Sequence, residues 1–380
     1  MTEKLYDINS YTKEFTATVL SCEKTENGYI VVLDKTVFFP EAGGQKSDIG
    51  FLNEAEVYDV QIEDDVLYHF INEELPVGQE VKGIINFERR FDFMQQHSAE
   101  HIVSGVANRL YGCQNVGFHL SEDIVTLDFD KPLNRDEILK VEELANKAVF
   151  ENNKINTYYP ETEKLEKLNY RSKGELEGAV RIVEIENTDM CACCAPHVKF
   201  TGEIGLIKLL ASEKLRGGVR IELKAGARAL KDYNERFFAT AKIGDMLAVK
   251  YNETADAVAR LMNNISEQKA VITSLKRKIT EQKVNSFNAE TEISAEFEEG
   301  LEIKELQIYA DALYKKAGGT RAVLSQNGDG TYAFAICGDK DNLDDFFAGF
   351  KSQFTVKGGG RNGMVQGTVT ATEEELKNFF

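Results

Sequence analysis

Two pairs of potential metal ligands, each with a spacing of four residues, constrain the fold of this chain more than any other feature. His97 and His101 form the first pair, and Cys193 and His197 form the second. On a helix, residues four apart lie on one face and about 6 Å apart along the axis, so the first pair can bind one metal ion. The two pairs use three of the five histidines in the chain, which argues against coincidence. A fold that unites them would create a four-ligand site.

The chemistry of these four side chains matches a zinc site. Three imidazoles and one thiolate form a mixed nitrogen and sulfur donor set that suits Zn²⁺. The segment MTEKLYDINSYTKEF lacks the basic start and apolar stretch of a signal peptide, and no apolar run is long enough for a membrane helix. We therefore expect a cytoplasmic protein, in which clustered cysteines bind metal more often than they form disulfides.

Two other cysteines of the segment CACCAPH compete with Cys193 for the site. Cys191 and Cys194 have CxxC spacing, so with the two helix histidines they would also complete a tetrahedral zinc site. The remaining cysteines are scattered and are expected to be small buried apolar residues: Cys22, Cys113 and Cys337. The sequence leaves the choice between Cys193 and the CxxC pair open.

Hydrophobic patterns predict an α+β protein of four parts. Residues 1–90 contain short apolar or alternating runs separated by turn residues, which is typical of a small N-terminal β-barrel. Residues 91–225 are expected to form an α+β domain that holds the zinc ligands. Residues 226–294 are expected to form a long helical arm similar to a coiled coil, and residues 295–380 a C-terminal α+β domain.

The helical arm contains an apolar seam with the spacing of a coiled coil. Its positions are Val258, Leu261, Ile265, Gln268, Ile272, Leu275, Ile279 and Gln282. A seam of this kind packs against a partner helix. That partner is either an earlier helix at about 229–251 or the same helix of a second subunit, which would make a homodimer; an isolated surface helix ranks below both.

Basic residues are concentrated in one part of an acidic chain. The net charge is −18, yet residues 212–283 contain 15 Lys and Arg against 9 Asp and Glu, which is a local charge of +6. A local basic stretch binds a phosphate backbone despite the overall charge. The glycine-rich segment KGGGRNGMVQGTV (357–369) adds two basic residues, and we expect it to form a loop that faces phosphates.

The segment HSAEH also matches the inverted zinc-protease signature H-x-x-E-H. In that interpretation Glu100 is the general base and a further glutamate downstream completes the metal site. The interpretation assigns no role to the cysteine and histidine of the second pair. A zinc protease therefore remains an alternative that accounts for fewer of the observed residues.

Five segments resemble a known family in the order in which that family has them. They are LDKTVFFPEAGGQKSDIG (33–50), HSAEH (97–101), CCAPH (193–197), RGGVRIELKAGARAL (216–230) and GGGRNGMVQG (358–367). Together they resemble the long form of the AlaX family of free-standing alanyl-tRNA editing proteins. That family is similar to the editing and C-terminal domains of alanyl-tRNA synthetase, the latter of a type shared with DHH phosphoesterases. Two departures are Cys-Cys-Ala-Pro-His in place of the usual Cys-Gly-Gly-Thr-His, and Glu100 in place of a small or apolar residue.

The resemblance implies trans-editing, in which the ester of Ser-tRNA(Ala), Gly-tRNA(Ala) or both is hydrolysed. A pocket for alanine discriminates against glycine by only about 1–3 kcal/mol and rejects an added hydroxyl poorly, so a second site that destroys mischarged tRNA restores accuracy. Zn²⁺ would either activate a water molecule or anchor the substrate. The metal ligands implied are His97, His101, Cys193 and His197.

The resemblance also implies roles for other residues. Thr36 would hydrogen-bond the serine hydroxyl, and Gln45 would orient substrate or water beside the catalytic Cys193. The residues expected to bind tRNA are Lys357, Gly358, Gly359, Gly360 and Arg361. A non-catalytic tRNA-binding protein with structural zinc remains the other alternative.

Overall fold

The computed structural model describes residues 2–172, 179–327 and 330–380 of a mixed α+β protein. The chain divides into two compact units, Met1–Lys242 and Ile243–Phe380. Within the described ranges, no helix combines the length and the apolarity needed to cross a membrane. The predicted α+β class is confirmed, whereas the predicted four-part division stays a prediction.

The first unit begins with a closed six-stranded barrel, as the sequence predicts. The elements here are β1 (Glu3–Lys4), α1 (Leu5–Ile8), β2 (Glu14–Thr25), β3 (Gly28–Leu33), β4 (Lys35–Thr36), β5 (Gly50–Leu52), β6 (Ala55–Glu63), β7 (Val66–Ile71) and β8 (Glu80–Ile85). The barrel order is β2-β3-β7-β6-β5-β8. Asp64 and Asp65 have positive φ angles of 48° and 59°, which suits the two-residue turn that joins β6 to β7.

The rest of the first unit surrounds one long helix. Its elements are α2 (Phe87–Tyr111), β9 (Asn115–Leu120), β10 (Val125–Phe129), α3 (Arg135–Glu151), β11 (Ile155–Tyr158), α4 (Thr162–Leu165), β12 (Ile182–Ile185), β13 (Asp189–Ala192), β14 (Ile207–Leu215), β15 (Gly218–Ala225) and α5 (Gly226–Leu247), which continues into the second unit. The strands form a four-stranded sheet, β14-β15-β10-β9, and a three-stranded sheet, β11-β12-β13. The apolar run GAVRIVEI (178–185) predicts a buried strand, and the structure has strand β12 over Ile182–Ile185 of it, while Gly178 lies outside the described residues.

Helix α2 has clear start and stop signals and approaches β13 closely. The Asn86 side chain accepts a hydrogen bond from the Arg89 backbone N–H, and Gly112 ends the helix with a φ of 64°. Gly105 faces the turn before β13, where an added Cβ would lie 2.5 Å from the Thr188 carbonyl oxygen. This close approach brings the segment after β13 to the helix.

The second unit is an α+β domain preceded by a long helix. Its elements are α6 (Thr254–Ser286), β16 (Ile293–Glu299), α7 (Ile303–Ala317), β17 (Thr320–Gln326), β18 (Tyr332–Cys337), α8 (Lys340–Gln353), β19 (Thr355–Arg361), β20 (Met364–Thr370) and α9 (Glu373–Phe379). The sheet order is β16-β17-β18-β20-β19. The segment RAVLSQNGDGTYAFAICG (321–338) predicts a hairpin with NGDG as its turn. Strands β17 and β18 pair in antiparallel fashion as that prediction requires, and Gly328 and Asp329 of the turn lie outside the described residues.

The glycine-rich segment expected to form a loop is instead a β-strand. Residues 357–361 belong to β19, which pairs with β20 in antiparallel fashion. The glycines allow close cross-strand contact of the two backbones. A Cβ added at Gly358 would lie 2.2 Å from the Gln366 carbonyl oxygen, and one at Gly360 would lie 1.9 Å from the Met364 carbonyl oxygen. The expectation of a loop was therefore wrong for Lys357, Gly358, Gly359, Gly360 and Arg361.

Candidate metal centre

The structure brings the two predicted pairs of ligands together. The potential ligand atoms of His97, His101, Cys193 and His197 all lie within 4.8 Å of one another. The Sγ atom of Cys193 is 3.5 Å from Nε2 of His97. The three histidine side chains are buried, and Cys193 is partly buried. Four soft and borderline donors at this separation fit a single metal ion with tetrahedral coordination.

The imidazole rings are each held through Nδ1 by another side chain. Nδ1 of His97 lies 2.9 Å from Oε1 of Gln45, and Nδ1 of His101 lies 3.0 Å from Oδ2 of Asp189. Nδ1 of His197 lies 3.1 Å from the Ser98 hydroxyl oxygen. These contacts place the proton of each ring on Nδ1, from which it is donated to the outer partner, and leave Nε2 as the ligand atom.

Asp189 connects His101 to a partly buried arginine. The carboxylate accepts hydrogen bonds from Nε and Nη2 of Arg171, at 2.7 and 2.8 Å. Burial alone would raise the pKa of Asp189, but the hydrogen bonds from His101 and Arg171 hold that pKa below its usual range. The residue therefore stays ionised and makes the His101 ring a stronger donor to a metal.

The Cys193 thiol requires a cation to become a ligand. Burial raises the pKa of Cys193 above its ordinary value, and the neighbouring thiol of Cys194 raises it further. A thiolate at this place is stable only beside a positive charge, which a bound metal ion would supply. The donor set and its surroundings thus fit a zinc ion.

The rival cysteines differ in position from Cys193. Cys191 is buried and forms a second group of potential ligands with His101 and Asp189. Cys194 is exposed and belongs to neither group in the parts of the chain that the structure describes. The geometry therefore favours Cys193 over the CxxC pair.

A cavity of about 520 Å³ opens beside the cluster. Its wall includes His97, His101 and Cys193 from the cluster. The other described lining residues are Lys4, Tyr6, Asp7, Phe39, Pro40, Ala42, Gly43, Ile62, Tyr159, Ala179, Val180, Arg181, Cys191, Ala192 and Cys194. Cavities of this size in proteins can hold a small-molecule ligand.

The structure brings Gln45 to the cluster but holds Thr36 elsewhere. Gln45 is fully buried. Its Oε1 atom contacts His97, and its Nε2 atom has no hydrogen-bond partner among the residues that the structure describes. The Thr36 hydroxyl lies 2.9 Å from Nε2 of His69 inside the barrel, and burial lowers the pKa of His69 to about 4. Neither Thr36 nor Gln45 is among the described residues that line the cavity, although Gln45 contacts the cluster through His97.

Glu100 is a buried carboxylate next to the cluster. Its Oε1 atom accepts hydrogen bonds from the side chains of Ser104 and Asn115. Its Oε2 atom lies 3.8 Å from Nε2 of His101. The groups of potential ligands found in the described residues contain no glutamate, so the arrangement lacks the glutamate ligand of an inverted zinc protease.

Sequence reasoning missed the outer partners of the histidines. Asp189 and Arg171 lie 18 residues apart in sequence. Neither lies at a helical or strand spacing from His101, so no local pattern predicts that these residues are neighbours. Ser98 lies beside His97 in sequence yet contacts His197. The only sequence signal for Asp189 is its position two residues before Cys191 in the same strand.

The residues predicted to bind tRNA lie in the second unit. Lys357, Gly358, Gly359, Gly360 and Arg361 are all exposed on β19, an edge strand of the sheet. Among the residues that the structure describes, neither Lys357 nor Arg361 has an ion-pair partner within 4.0 Å. Because alternate residues of a strand share a face, these two cations lie on the same face.

Comparison with known proteins connects the chain to aminoacyl-tRNA synthetases. The family described as "Threonyl and Alanyl tRNA synthetase second additional domain" matches residues 180–222, and that of "tRNA synthetases class II (A)" matches residues 4–89. Alanine–tRNA ligase of Methanococcus aeolicus is 29% identical over 99% of this chain and 42% of its own length. That of Pyrococcus abyssi is 30% identical over 97% of this chain and 42% of its own length.

A third relative leads to the same family. Alanine–tRNA ligase of Thermofilum pendens is 30% identical over 98% of this chain and 43% of its own length. The chain thus spans less than half the length of these relatives. The matched regions include the barrel and the strands on both sides of the metal cluster. The chain is therefore similar to domains of alanyl-tRNA synthetases, which confirms the resemblance that its motifs predict.

Proposed function

We propose that this protein is a zinc-dependent aminoacyl-tRNA deacylase that hydrolyses the ester of mischarged Ser-tRNA(Ala), Gly-tRNA(Ala) or both. The observation that carries the proposal is the four-ligand cluster at the wall of the cavity. Its three histidines are fixed through Nδ1, so the ligand atoms are already oriented toward one point. A metal ion held there would act on a bound ester once one of the four ligands gives way to water or substrate.

Zinc held by His97, His101, Cys193 and His197 would act there as a Lewis acid, either on a water molecule or on the substrate. The protein itself supplies the orientation of the reacting groups. The unpartnered Nε2 of Gln45 is a buried donor next to His97, and it would donate to the ester or to the attacking water. Gln45 would thereby have two roles, one toward the ring of His97 and one toward the reactants.

Discrimination between amino acids would depend on the walls of the cavity. Thr36 would contact a serine hydroxyl only after its own hydroxyl leaves His69, so its role in serine recognition requires a rearrangement. Alanine would be disfavoured relative to serine because it lacks the hydroxyl that a polar contact recognises; glycine lacks it too, so hydrolysis of the glycine ester would have to depend on the missing methyl group. We therefore expect the serine ester to be hydrolysed faster than the alanine ester.

Binding of tRNA would involve the second unit. Lys357 and Arg361 present two exposed cations on one face of β19. The basic stretch 212–283 adds a local charge of +6. Contacts of this kind neutralise phosphates and make affinity depend on salt. The exposed seam of α6 would in addition join two copies into a homodimer.

One assay tests the proposed function against both alternatives. The purified protein is incubated with Ser-tRNA(Ala), Gly-tRNA(Ala) and Ala-tRNA(Ala), with and without a chelator. A deacylase releases serine or glycine, spares alanine and loses activity with the chelator. Binding of tRNA without hydrolysis would indicate a non-catalytic protein with structural zinc. Cleavage of a peptide that disappears in Glu100→Gln would indicate a protease.

A further inference from the structure

The cavity beside the cluster has one carboxylate among the lining residues that the structure describes. That residue is Asp7, at the third position of α1, and the other charged lining residues outside the histidines are Lys4 and Arg181. The Asp7 side chain is 17% exposed, so its carboxylate can be reached from the cavity. It is the only described anionic group in the wall that could meet a positively charged part of a ligand.

The carboxylate of Asp7 is only partly neutralised by its neighbours. The hydroxyl of Tyr159 donates a hydrogen bond to Oδ2 at 3.1 Å. Nε of Arg181 lies 3.8 Å from Oδ1, which is too far for a hydrogen bond. Nη1 of Arg181 instead donates to the backbone carbonyl oxygens of Cys193 and Ala195, at 3.1 and 2.8 Å.

The balance of charge around Asp7 favours an additional cation. Burial raises the pKa of Asp7, and the opposing effects of Arg181, the Tyr159 hydroxyl and the more distant Lys4 do not cancel this increase. Arg181 is committed to the segment that carries Cys193, so it cannot turn fully toward the carboxylate. A small cation that enters the cavity would complete the neutralisation.

An aminoacyl ester carries such a cation. Its α-ammonium group is two bonds from the ester carbonyl carbon, so a substrate whose ester lies at the metal cluster places this charge in the same cavity. Serine, glycine and alanine all have the group, so it carries no information about the side chain. It does distinguish an aminoacyl ester from one whose nitrogen is acylated.

We propose that Asp7 binds the α-ammonium group of the aminoacyl ester and thereby restricts the site to esters with a free amino group. This inference rests on the proposed deacylase function. Peptidyl-tRNA and other N-acylated aminoacyl-tRNAs have a neutral amide at that position, and they would leave Asp7 without a cation. The site would then remove a mischarged amino acid and leave a growing peptide intact.

The test compares two substrates in two proteins. Ser-tRNA(Ala) and its N-acetylated form are hydrolysed by the wild-type protein and by Asp7→Asn. A hydrogen bond to a charged group contributes about 1.5–3 kcal/mol, so the wild-type protein should prefer the free amine by roughly 10- to 150-fold in kcat/KM. Asp7→Asn should lose about this factor on Ser-tRNA(Ala) and change little on the N-acetylated form.

Controls separate recognition from a structural effect. Asp64→Asn removes the same charge from an exposed turn with a positive φ, which Asn tolerates, and it should leave both rates unchanged. Asp7→Glu retains the charge and should restore part of the preference. Zinc content and melting temperature of Asp7→Asn should match those of the wild-type protein, because the carboxylate contacts no ligand of the cluster.

Three outcomes would overturn the inference. Equal wild-type rates on the two substrates, or an equal loss on both in Asp7→Asn, would exclude recognition of the ammonium group and leave the deacylase function intact. Absence of wild-type hydrolysis of Ser-tRNA(Ala) and Gly-tRNA(Ala) would overturn the proposed function and the role of Asp7 together.

Discussion

Helices α2 and α6 are both long, yet they have opposite relations to solvent. In α2, 15 of 25 residues are buried, including charged and polar ones. In α6, Ala257 is the one buried residue among 33. The apolar seam of α6 is exposed by 39% at Val258 and by 53% at Ile272. The fold thus encloses α2, although α2 contains polar and charged side chains, and leaves the apolar seam of α6 exposed.

Specific partners explain why α2 tolerates burial. Gln96 donates to the Ala225 carbonyl oxygen and accepts from the Ala225 N–H, at 2.9 and 2.8 Å. Arg90 forms a buried ion pair with Asp48. Each such partner offsets the desolvation of a polar group, which is otherwise costly. In α6 the seam requires no polar partner, and an apolar surface on another helix would suffice to cover it.

The largest effect is expected from removal of a metal ligand carried by or facing α2. His97→Ala and Cys193→Ala should each lower ester hydrolysis by at least about 100-fold and reduce the amount of bound zinc. Removal of a side chain that only hydrogen-bonds a metal ligand already costs about 10- to 100-fold in metal affinity or activity, so loss of the ligand itself should cost more. Zinc content and deacylation rate are the measurements. Cys22→Ala, in the barrel, is the control and should change neither. If zinc is lost in Cys191→Ala and Cys194→Ala but kept in Cys193→Ala, the CxxC pair is the site.

A matched pair of isoleucine substitutions tests the comparison of the two helices directly. Ile102 in α2 is fully buried, whereas Ile272 in α6 is 53% exposed. Ile102→Ala should lower the free energy of unfolding by about 2–5 kcal/mol. Ile272→Ala should change the free energy of unfolding of a monomer by less than about 0.5 kcal/mol. Both values come from denaturant unfolding at low protein concentration.

Sedimentation extends the same experiment to the predicted homodimer. If the α6 seam joins two subunits, the wild-type protein sediments as a dimer and Ile272→Ala shifts it toward the monomer, with a stability that depends on protein concentration. A wild-type monomer at all concentrations would exclude the homodimer. In that case no second copy of the chain covers the α6 seam, and the seam stays exposed in the monomer.

Features that depend on local spacing could be predicted from the sequence. The four-residue spacing of His97 and His101 identifies one helix face, and Gly112 marks the end of that helix. The alternating runs before residue 90 correspond to the strands of the barrel. In each case the signal lies within a few residues of the structure that it predicts.

Features that depend on tertiary contacts could not be predicted in this way. The Thr36 hydroxyl is directed toward His69 by the closure of the barrel, which no local pattern reports. Glycine has a low preference for strands, so residues 358–360 suggest a loop until the close backbone of β20 is known. The exposure of α6 likewise depends on what lies beside it, because periodicity reports only which residues share a face.

The partner of His101 is expected to have a smaller effect than a ligand. Asp189→Asn should weaken zinc binding by about 10- to 100-fold, because the ring loses an ionised acceptor. Asp128→Asn is a matched control. Asp128 also accepts two hydrogen bonds from an arginine, Arg220, but it lies in β10 of the four-stranded sheet. Zinc affinity from chelator competition is the measurement. Equal losses in both variants would show that the effect belongs to arginine pairing in general.

The smallest effect is expected on the exposed surface of the second unit. Lys357→Ala combined with Arg361→Ala should weaken tRNA binding a few-fold and lower the slope of log affinity against log salt by about 1–2, because up to two phosphates lose a cation. Binding is measured between about 50 and 200 mM salt, the range in which such contacts are most visible. Hydrolysis at saturating Ser-tRNA(Ala) should persist because the metal cluster is untouched. Lys315→Ala with Lys377→Ala removes the same charge from residues already paired with Asp311 and Glu373, so that control should leave the slope unchanged. An equal decrease in both double variants would attribute the effect to overall charge and exclude a specific role of β19.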